Sequence, residues 1–175
     1  MAGRLQVVRA DITRLEVDAI VNAANESLRP GGGVDGAIRR AAGPRINEAT
    51  ARIGHCPTGA AVVTDGFELP ATWVIHTVGP VWHGGGRGEA ELLAGCYRAS
   101  LARAAEVGAR SVAFPAISTG IYGYPADRAA AIAVREARAF LAASEAVERV
   151  LLVAHGEGDR ETLQAALDAA ADDTP

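Results

Sequence analysis

The fold is decided by a strand that runs into two carboxamides and then into a glycine-rich turn. Residues 18–36 read DAIVNAANESLRPGGGVDG. Its apolar start predicts a buried strand that leads to Asn22 and Asn25, and Gly31–Gly33 opens a predicted helix. Glycine lets backbone approach a ligand closely, and a helix N-terminus favours negative charge. The stretch therefore predicts an anion-binding cradle at the end of a strand.

Asp35 stands at the mouth of this cradle. A carboxylate is out of place in a site that only binds an anion, so we expect Asp35 to act on something beside that anion. Two ordinary roles stay open for these side chains, because Asn25 is a frequent turn former and Asp35 a frequent helix cap.

The chain has 175 residues, 49% of them hydrophobic, which fits one domain with a sizeable core. The expected boundaries are 1–170 for the domain and 171–175 for a frayed tail. We find no internal repeat and no low-complexity segment.

Charge removes several functional classes. The formal net charge is −4, and the sequence contains no lysine. A Schiff-base lysine, a P-loop lysine and a lysine nucleophile are therefore excluded. The acidic balance argues against a general nucleic-acid footprint, although a local arginine patch stays open.

Cysteine and histidine usage points to no metal and no cofactor. Cys56 and Cys96 form neither a disulfide framework nor a ligand cluster, and the four histidines are scattered, His76 being a candidate core residue. No uncharged apolar run approaches the ~20 residues that span a bilayer. The predicted first strand, from Leu5, leaves no room for a signal peptide, so we expect a cytoplasmic protein with no membrane partner.

Apolar runs predict strands at 5–9, 19–22, 61–64, 73–78, 111–115 and 150–154. Helical patterns follow Asp35, cover 89–107, begin at Pro125 and begin again near Asp159. Helices that alternate with strands imply crossovers in a mostly parallel sheet, an α/β fold. The segments Asn22–Asp35 and Ile117–Tyr124 both leave strand carboxyl ends, so they should meet over one crevice.

The chain resembles the MacroD-type macrodomains, which bind ADP-ribose and hydrolyse esters made to it. The resemblance rests on NAAN and GGGVDGAI and continues, in family order, through DIT at 11–13, CPTG at 56–59, VIHTVGP at 74–80 and AFPAISTGIYG at 113–123. It implies a three-layer α/β/α macrodomain with a mixed, mostly parallel central sheet.

The resemblance also assigns ligand contacts. It implies that the diphosphate of ADP-ribose lies between two turns, composed of Gly32, Gly33 and Val34 on one side and Ser118, Thr119, Gly120, Ile121 and Tyr122 on the other. Backbone N–H groups of such turns form anion nests. The Tyr122 ring is expected either on the distal ribose or as a core or rim aromatic.

The adenine and ribose ends follow in the same way. The resemblance implies that Asp11 accepts from the adenine amino group, with the Ile12 amide beside it; a cap of the turn at 12–13 is the alternative for Asp11. Asn25 would hold the distal ribose, and Asp35 would orient or deprotonate a water, helped by a diphosphate oxygen. Asn22 would fix the loop near the ribose.

Three positions depart from the family pattern. Ala10 replaces the usual glycine before Asp11, Pro30 stands where a fourth glycine is common, and Arg39 replaces a common histidine. None of these changes removes a proposed catalytic atom, but Pro30 and Arg39 are expected to alter loop mobility.

The expected function is hydrolysis of ester-linked groups from ADP-ribose, with Asn25 and Asp35 as the catalytic pair. The expected substrates are O-acetyl-ADP-ribose, mono-ADP-ribosylated proteins and ADP-ribosylated nucleic-acid ends, and the expected state is a monomer. The alternatives are a reader that binds ADP-ribose without turnover and a regulatory or RNA-binding macrodomain.

Overall fold

The structure is a computed structural model that describes residues 3–172. Within those residues the strands are β1 (Leu5–Arg9), β2 (Ala19–Ala23), β3 (Ala61–Asp65), β4 (Trp73–Thr77), β5 (Ser111–Phe114) and β6 (Arg149–Ala154). The α-helices are α1 (Gly33–Ala42), α2 (Arg45–Ile53), α3 (Glu89–Glu106), α4 (Ala126–Ala143) and α5 (Glu157–Asp172). A short 3-10 turn, Ile12–Arg14, follows β1.

The six strands of the described chain form one sheet in the order β1-β6-β5-β2-β4-β3. All neighbours are parallel except β3 and β4, which are antiparallel. The predicted mixed, mostly parallel sheet is confirmed.

Alternate strand residues face two separate helical layers. Val112 and Phe114 pack in the core beneath α3, α4 and α5, whereas Ala113 packs with Ile38 of α1 and Ile46 of α2. This alternation is the period-2 geometry of a strand covered on both faces. It gives the three-layer α/β/α arrangement.

Two differences from the predicted elements stand out. Helix α2 was not predicted, because its sequence, RINEATARI, is largely polar and buries only Ile46 and Thr50. Helix α5 continues to Asp172, past the expected start of the frayed tail at 171, while residues 173–175 lie outside the described residues.

The sheet opens where the site lies. Strand β2 pairs with β4 as far as Ala23–Thr77, but its pairing with β5 stops at Ile20–Ala113. The segments that leave β2 and β5 therefore start from neighbouring strands at the same edge without continuing the ladder. Within the described chain, no helix is long and apolar enough to cross a bilayer.

Candidate active site

A crevice of about 730 Å³ lies at the carboxyl ends of the parallel strands. Its volume is within the range of small-molecule sites. The predicted site residues that line it are Asp11, Ile12, Asn25, Gly32, Gly33, Val34, Asp35, Ser118, Thr119, Gly120, Ile121 and Tyr122. Asn22 is the one predicted site residue that does not line the crevice.

The first turn presents backbone donors to the crevice. Gly32 is the N-cap of α1 without a side-chain cap, and the first helical bond runs from Gly36 N to Gly32 O at 3.2 Å. The N–H groups of Gly33 and Val34 therefore have no acceptor inside the helix. With the helix dipole they form a site suited to an anion.

The second turn faces it from the end of β5. Ser118 has a φ of 68°, a left-handed conformation that is uncommon outside glycine. Within the described part of the chain, the N–H groups of Thr119, Gly120 and Ile121 reach no protein acceptor. These are the free donors that an anion nest requires.

Asn25 lies half-buried at one end of the crevice. Its Oδ1 accepts from Ser27 Oγ at 2.7 Å and from Arg29 N at 3.2 Å, and its Nδ2 donates to Arg29 O at 2.8 Å. The side chain thus organises its own loop, as the turn-forming alternative proposed. One Nδ2 hydrogen is left over to meet a ligand.

Asp35 is buried beside Asn25, with 4% of its surface exposed. Its Oδ2 accepts from Gly31 N at 2.6 Å, and its Oδ1 accepts from Asn22 Nδ2 at 2.7 Å. Arg39 Nε donates to both oxygens at 3.1 Å. Asp35 therefore forms an ion pair with Arg39 and a hydrogen bond to the start of the first turn. These contacts go beyond the helix-capping alternative.

The position of Asn22 differs from the prediction. Asn22 lies in β2, as the predicted strand had it, but it is fully buried and does not line the crevice. Its Nδ2 donates both to Asp35 and to His76 Nδ1, the latter at 3.1 Å. It acts on Asp35 from beneath the site, because a strand side chain at this register points into the core.

His76 continues the chain of buried contacts. Its Nε2 lies 2.9 Å from Thr64 Oγ1, which itself donates to Asp65 O. The ring therefore donates from Nε2 and accepts at Nδ1, which matches the Asn22 contact. Burial lowers the pKa of His76 from its usual 6.5 to about 4. The candidate core histidine is therefore neutral, and it supports Asp35 indirectly through Asn22.

Asp11 caps the turn after β1. Its Oδ1 accepts from Thr13 N at 3.0 Å and from Thr13 Oγ1 at 2.7 Å, and these bonds lower the pKa of Asp11. Oδ2 is 3.7 Å from Arg14 Nε. The capping alternative is thus realised, and Asp11 also lines the crevice.

Several crevice residues were missed by sequence reasoning. Arg40, Gly79, His155 and Asp159 also line it. A Cβ on Gly79 would lie 2.1 Å from Ser118 Oγ, so only glycine lets the segment after β4 approach the second turn this closely. His155 follows β6 at the same sheet edge as Asp11, a signal that strand order could have supplied.

The second turn is braced from behind by Trp82, which does not itself line the crevice. Trp82 N donates to Tyr122 O at 2.8 Å, and its ring packs on Tyr124 with centroids 4.7 Å apart. The buried Glu89 carboxylate accepts from the N–H groups of His83, Gly85 and Arg87 at 2.6–2.9 Å. These contacts lower the pKa of Glu89 to about 2 and hold the Trp82 loop.

Among residues 3–172, no group of three or more His, Cys, Asp and Glu side chains is placed to hold a metal ion. Cys56 and Cys96 are free and buried, and burial raises the pKa of Cys56 to about 11. Neither thiol is set up as a nucleophile.

The fold and the paired anion-binding turns define a macrodomain-type site. The Macro domain profile matches residues 21–133, and the chain belongs to that family. A Chlorobaculum tepidum macro domain-containing protein is 58% identical over 163 residues, which are 93% of this chain and 95% of that protein. A Klebsiella pneumoniae protein named O-acetyl-ADP-ribose deacetylase is 58% identical over 161 residues, which are 90% of this chain and 92% of that one.

Solved structures agree with the fold. A mutant of the Oceanobacillus iheyensis macrodomain with ADPR has a TM-score of 0.90 at 41% identity and covers 96% of this chain and 94% of that one. The Trypanosoma brucei macrodomain in complex with ADP-ribose has a TM-score of 0.89 at 40% identity and covers 94% of this chain and 69% of that one.

Proposed function

We propose that this protein binds ADP-ribose and hydrolyses ester-linked groups from it, with O-acetyl-ADP-ribose and mono-ADP-ribosyl esters of protein Asp or Glu as substrates. One observation carries the proposal. Two turns with free backbone donors face each other across the crevice, and Asn25 and Asp35 flank Gly31 at one end of it. A relative named O-acetyl-ADP-ribose deacetylase, 58% identical, supports the reaction type.

The binding mode follows from the donors. A diphosphate between the turns would be neutralised by the N–H groups of residues 33–34 and 119–121, without any lysine. Asp11 and Ile12 lie at the adenine end, and Asn25 holds the distal ribose through its remaining Nδ2 hydrogen. Binding energy from adenine and diphosphate would hold the ester at the Asn25–Asp35 end for attack by water.

The test is a product assay on O-acetyl-ADP-ribose, paired with calorimetry against ADP-ribose. Asn25→Ala is expected to lose most hydrolysis and still bind ADP-ribose, because its contacts are confined to its own loop and the outer sugar. Asp35→Ala is expected to lose hydrolysis as well. It also leaves buried Arg39 unpaired, so its folding must be checked by circular dichroism. Parental turnover in both folded variants would contradict the assignment.

A reader without turnover is the second candidate. The observation that favours it is that most polar atoms of Asn25 and Asp35 are already used by protein contacts. A reader would bind ADP-ribose tightly and leave every ester in the substrate panel intact. The panel comprises O-acetyl-ADP-ribose, a glutamyl-ADP-ribosylated protein and a phosphate-linked ADP-ribose on a nucleic-acid end.

A further inference from the structure

Arg39 of α1, which does not line the crevice, makes contacts that the proposed reaction does not yet use. It lies one helical turn after Asp35 and is 5% exposed. Besides its Nε bonds to Asp35, Nη1 donates to Asn47 Oδ1 at 2.8 Å and Thr50 Oγ1 at 3.1 Å. Nη2 donates to Leu28 O at 3.0 Å. One guanidinium therefore joins Asp35 to helix α2 and to the loop before the glycine turn.

The contacts on Asp35 use most of its acceptor capacity. An ionised carboxylate offers about four lone-pair positions. Asn22 Nδ2 donates to Oδ1 and Gly31 N donates to Oδ2, while Arg39 Nε shares its single hydrogen between the two oxygens. A water that gave its proton to Asp35 would have to compete with these three donors for the same two oxygens. Asn22 and Arg39 are themselves buried, so weakening either of their bonds to Asp35 would be costly.

What these contacts do is fix a segment of backbone. The bond from Gly31 N to Asp35 Oδ2 sets where the glycine turn begins, and the bond from Arg39 to Leu28 O holds the loop that precedes it. Helix α1 also approaches this backbone closely, since a Cβ on Gly36 would lie 2.9 Å from Gly31 O. Residues 28–35 are thus held at both ends by the Asp35–Arg39 pair.

We propose that Arg39 is a positioning residue of this site: it holds the Asp35 carboxylate as an anchor for the Gly31–Val34 turn, so that Asp35 does not accept the proton of the attacking water. The proposal rests on the hydrolytic function proposed above. It concerns a residue where this chain departs from the histidine common in the resembling family.

The experiment compares Asp35→Asn, Arg39→Gln and their double variant in steady-state hydrolysis of O-acetyl-ADP-ribose. Asn at position 35 keeps a hydrogen-bonding oxygen but cannot serve as a base. As an anchor variant, Asp35→Asn should lose no more than about tenfold in kcat. Arg39→Gln should lose a similar factor, and the double variant should be no worse than either, because both changes break one unit.

The matched control is Asn47→Ala. It removes a contact of Arg39 on the side away from Asp35 and should lower the melting temperature while leaving kcat and KM at parental values. A merely structural Arg39 would behave like this control, with reduced stability and unchanged kinetics, and that result would overturn the proposal.

A second readout does not need turnover. In an NMR amide-exchange experiment, Gly31 N–H should exchange faster in Arg39→Gln than in the parent, and at the parental rate in Asn47→Ala. If the parent hydrolyses nothing, the proposed function fails, and the Gly31 amide still tests the anchor.

Two further outcomes refute the positioning role. The first is a loss of about a hundredfold or more in kcat for folded Asp35→Asn, the size expected for a missing general base, while Arg39→Gln stays active. The second is a Gly31 amide that exchanges at the parental rate in Arg39→Gln. If Asp35→Asn does not fold, Arg39→Gln and the amide measurement decide alone.

Discussion

Asn22 donates from Nδ2 to Oδ1 of Asp35 at 2.7 Å, and this bond joins strand β2 to helix α1 beneath the crevice. The same carboxamide also donates to His76, so its orientation is fixed from both sides. A flipped amide would set its oxygen against the Asp35 carboxylate. The candidate active site thus rests on a buried line of polar groups that begins at Thr64 and ends at Arg39.

Asn22→Asp should destabilise the protein severely at neutral pH. It would place a second carboxylate 2.7 Å from Asp35 in a buried position, and uncompensated buried charge costs about 3–5 kcal/mol. Urea unfolding measures the change. Asn47→Asp is the matched control: the side chain is exposed and faces Arg39, so the same chemical change should be neutral or slightly stabilising. Equal losses in the two variants would show that the Asn22 environment is not special.

Stability should rise with pH between about 4 and 6.5 because of His76. Its folded pKa is about 4, against 6.5 for an ordinary histidine. Over that interval the unfolded chain binds a proton that the folded chain does not, so unfolding becomes harder as pH increases and levels off above 6.5. The contribution is on the order of 3 kcal/mol.

Chemical unfolding at several pH values, in the parent and in His76→Gln, isolates this contribution. The parent should show the steeper slope between pH 4 and 6.5. His55→Gln, a change at an exposed histidine, serves as the control and should keep the parental slope. A His76→Gln profile parallel to that of the parent would rule out His76 as the source.

Gly31→Ala should impair hydrolysis without unfolding the protein. A Cβ there would lie 3.4 Å from Asp35 Oδ2 and 3.7 Å from Asn25 Nδ2, which are ordinary contact distances. The methyl group would nevertheless project between Asp35 and Asn25, the side chain proposed to hold the outer sugar, so we expect roughly a tenfold or greater loss in kcat/KM.

Gly86→Ala is the control for this substitution, since nothing lies within 4 Å of its added Cβ and it is outside the crevice. Melting temperatures of both variants should match the parent. A Gly31→Ala variant with parental kcat/KM would place the outer sugar elsewhere.

Glu89→Gln should weaken ADP-ribose binding from a distance. The amide offers one acceptor oxygen in place of the carboxylate that now accepts from three N–H groups. The loop that carries Trp82 therefore loses hydrogen bonds to Glu89. Trp82 holds Tyr122 O, and the second turn should then lose order. Calorimetry should show a higher Kd and thermal melting a lower Tm. Glu91→Gln, which removes only an exposed ion pair with Arg98, should change neither appreciably.

Hydrolysis should be insensitive to chelators. The described residues contain no cluster placed to hold a metal, and the proposed site uses backbone donors for the diphosphate. Turnover after dialysis against EDTA should equal that of the untreated protein. A loss that zinc or magnesium restores would require a different mechanism.

Strand positions and the two crevice turns could be predicted from sequence because they depend on local patterns, apolar runs ending in glycine or asparagine. Helix α2 could not, since only Ile46 and Thr50 are buried and tertiary packing supplies the rest. Asn22 was correctly predicted in a strand but was expected near the ribose, because the sequence pattern does not reveal which residue near the end of a strand points inward. The spacing of Asp35 and Arg39, four apart on one helix, was a readable signal of their ion pair.

The preferred substrate, the cellular location and the oligomeric state could not be predicted in the same way. The acetyl, protein and nucleic-acid substrates share the ADP-ribose group and differ only in what is linked to it, so a site that binds ADP-ribose does not distinguish them. The cytoplasmic location and the monomeric state stay predictions from sequence.

The early end of the β2–β5 ladder at Ile20–Ala113 has a consequence for how this fold can change. Each further residue pair between β2 and β5 would add hydrogen bonds and make the sheet more rigid. It would also bring the two turns that follow these strands together and close the crevice. Mutations that extended the pairing of β2 with β5 would therefore close the crevice. At this position, a more stable sheet and an open ligand site exclude each other.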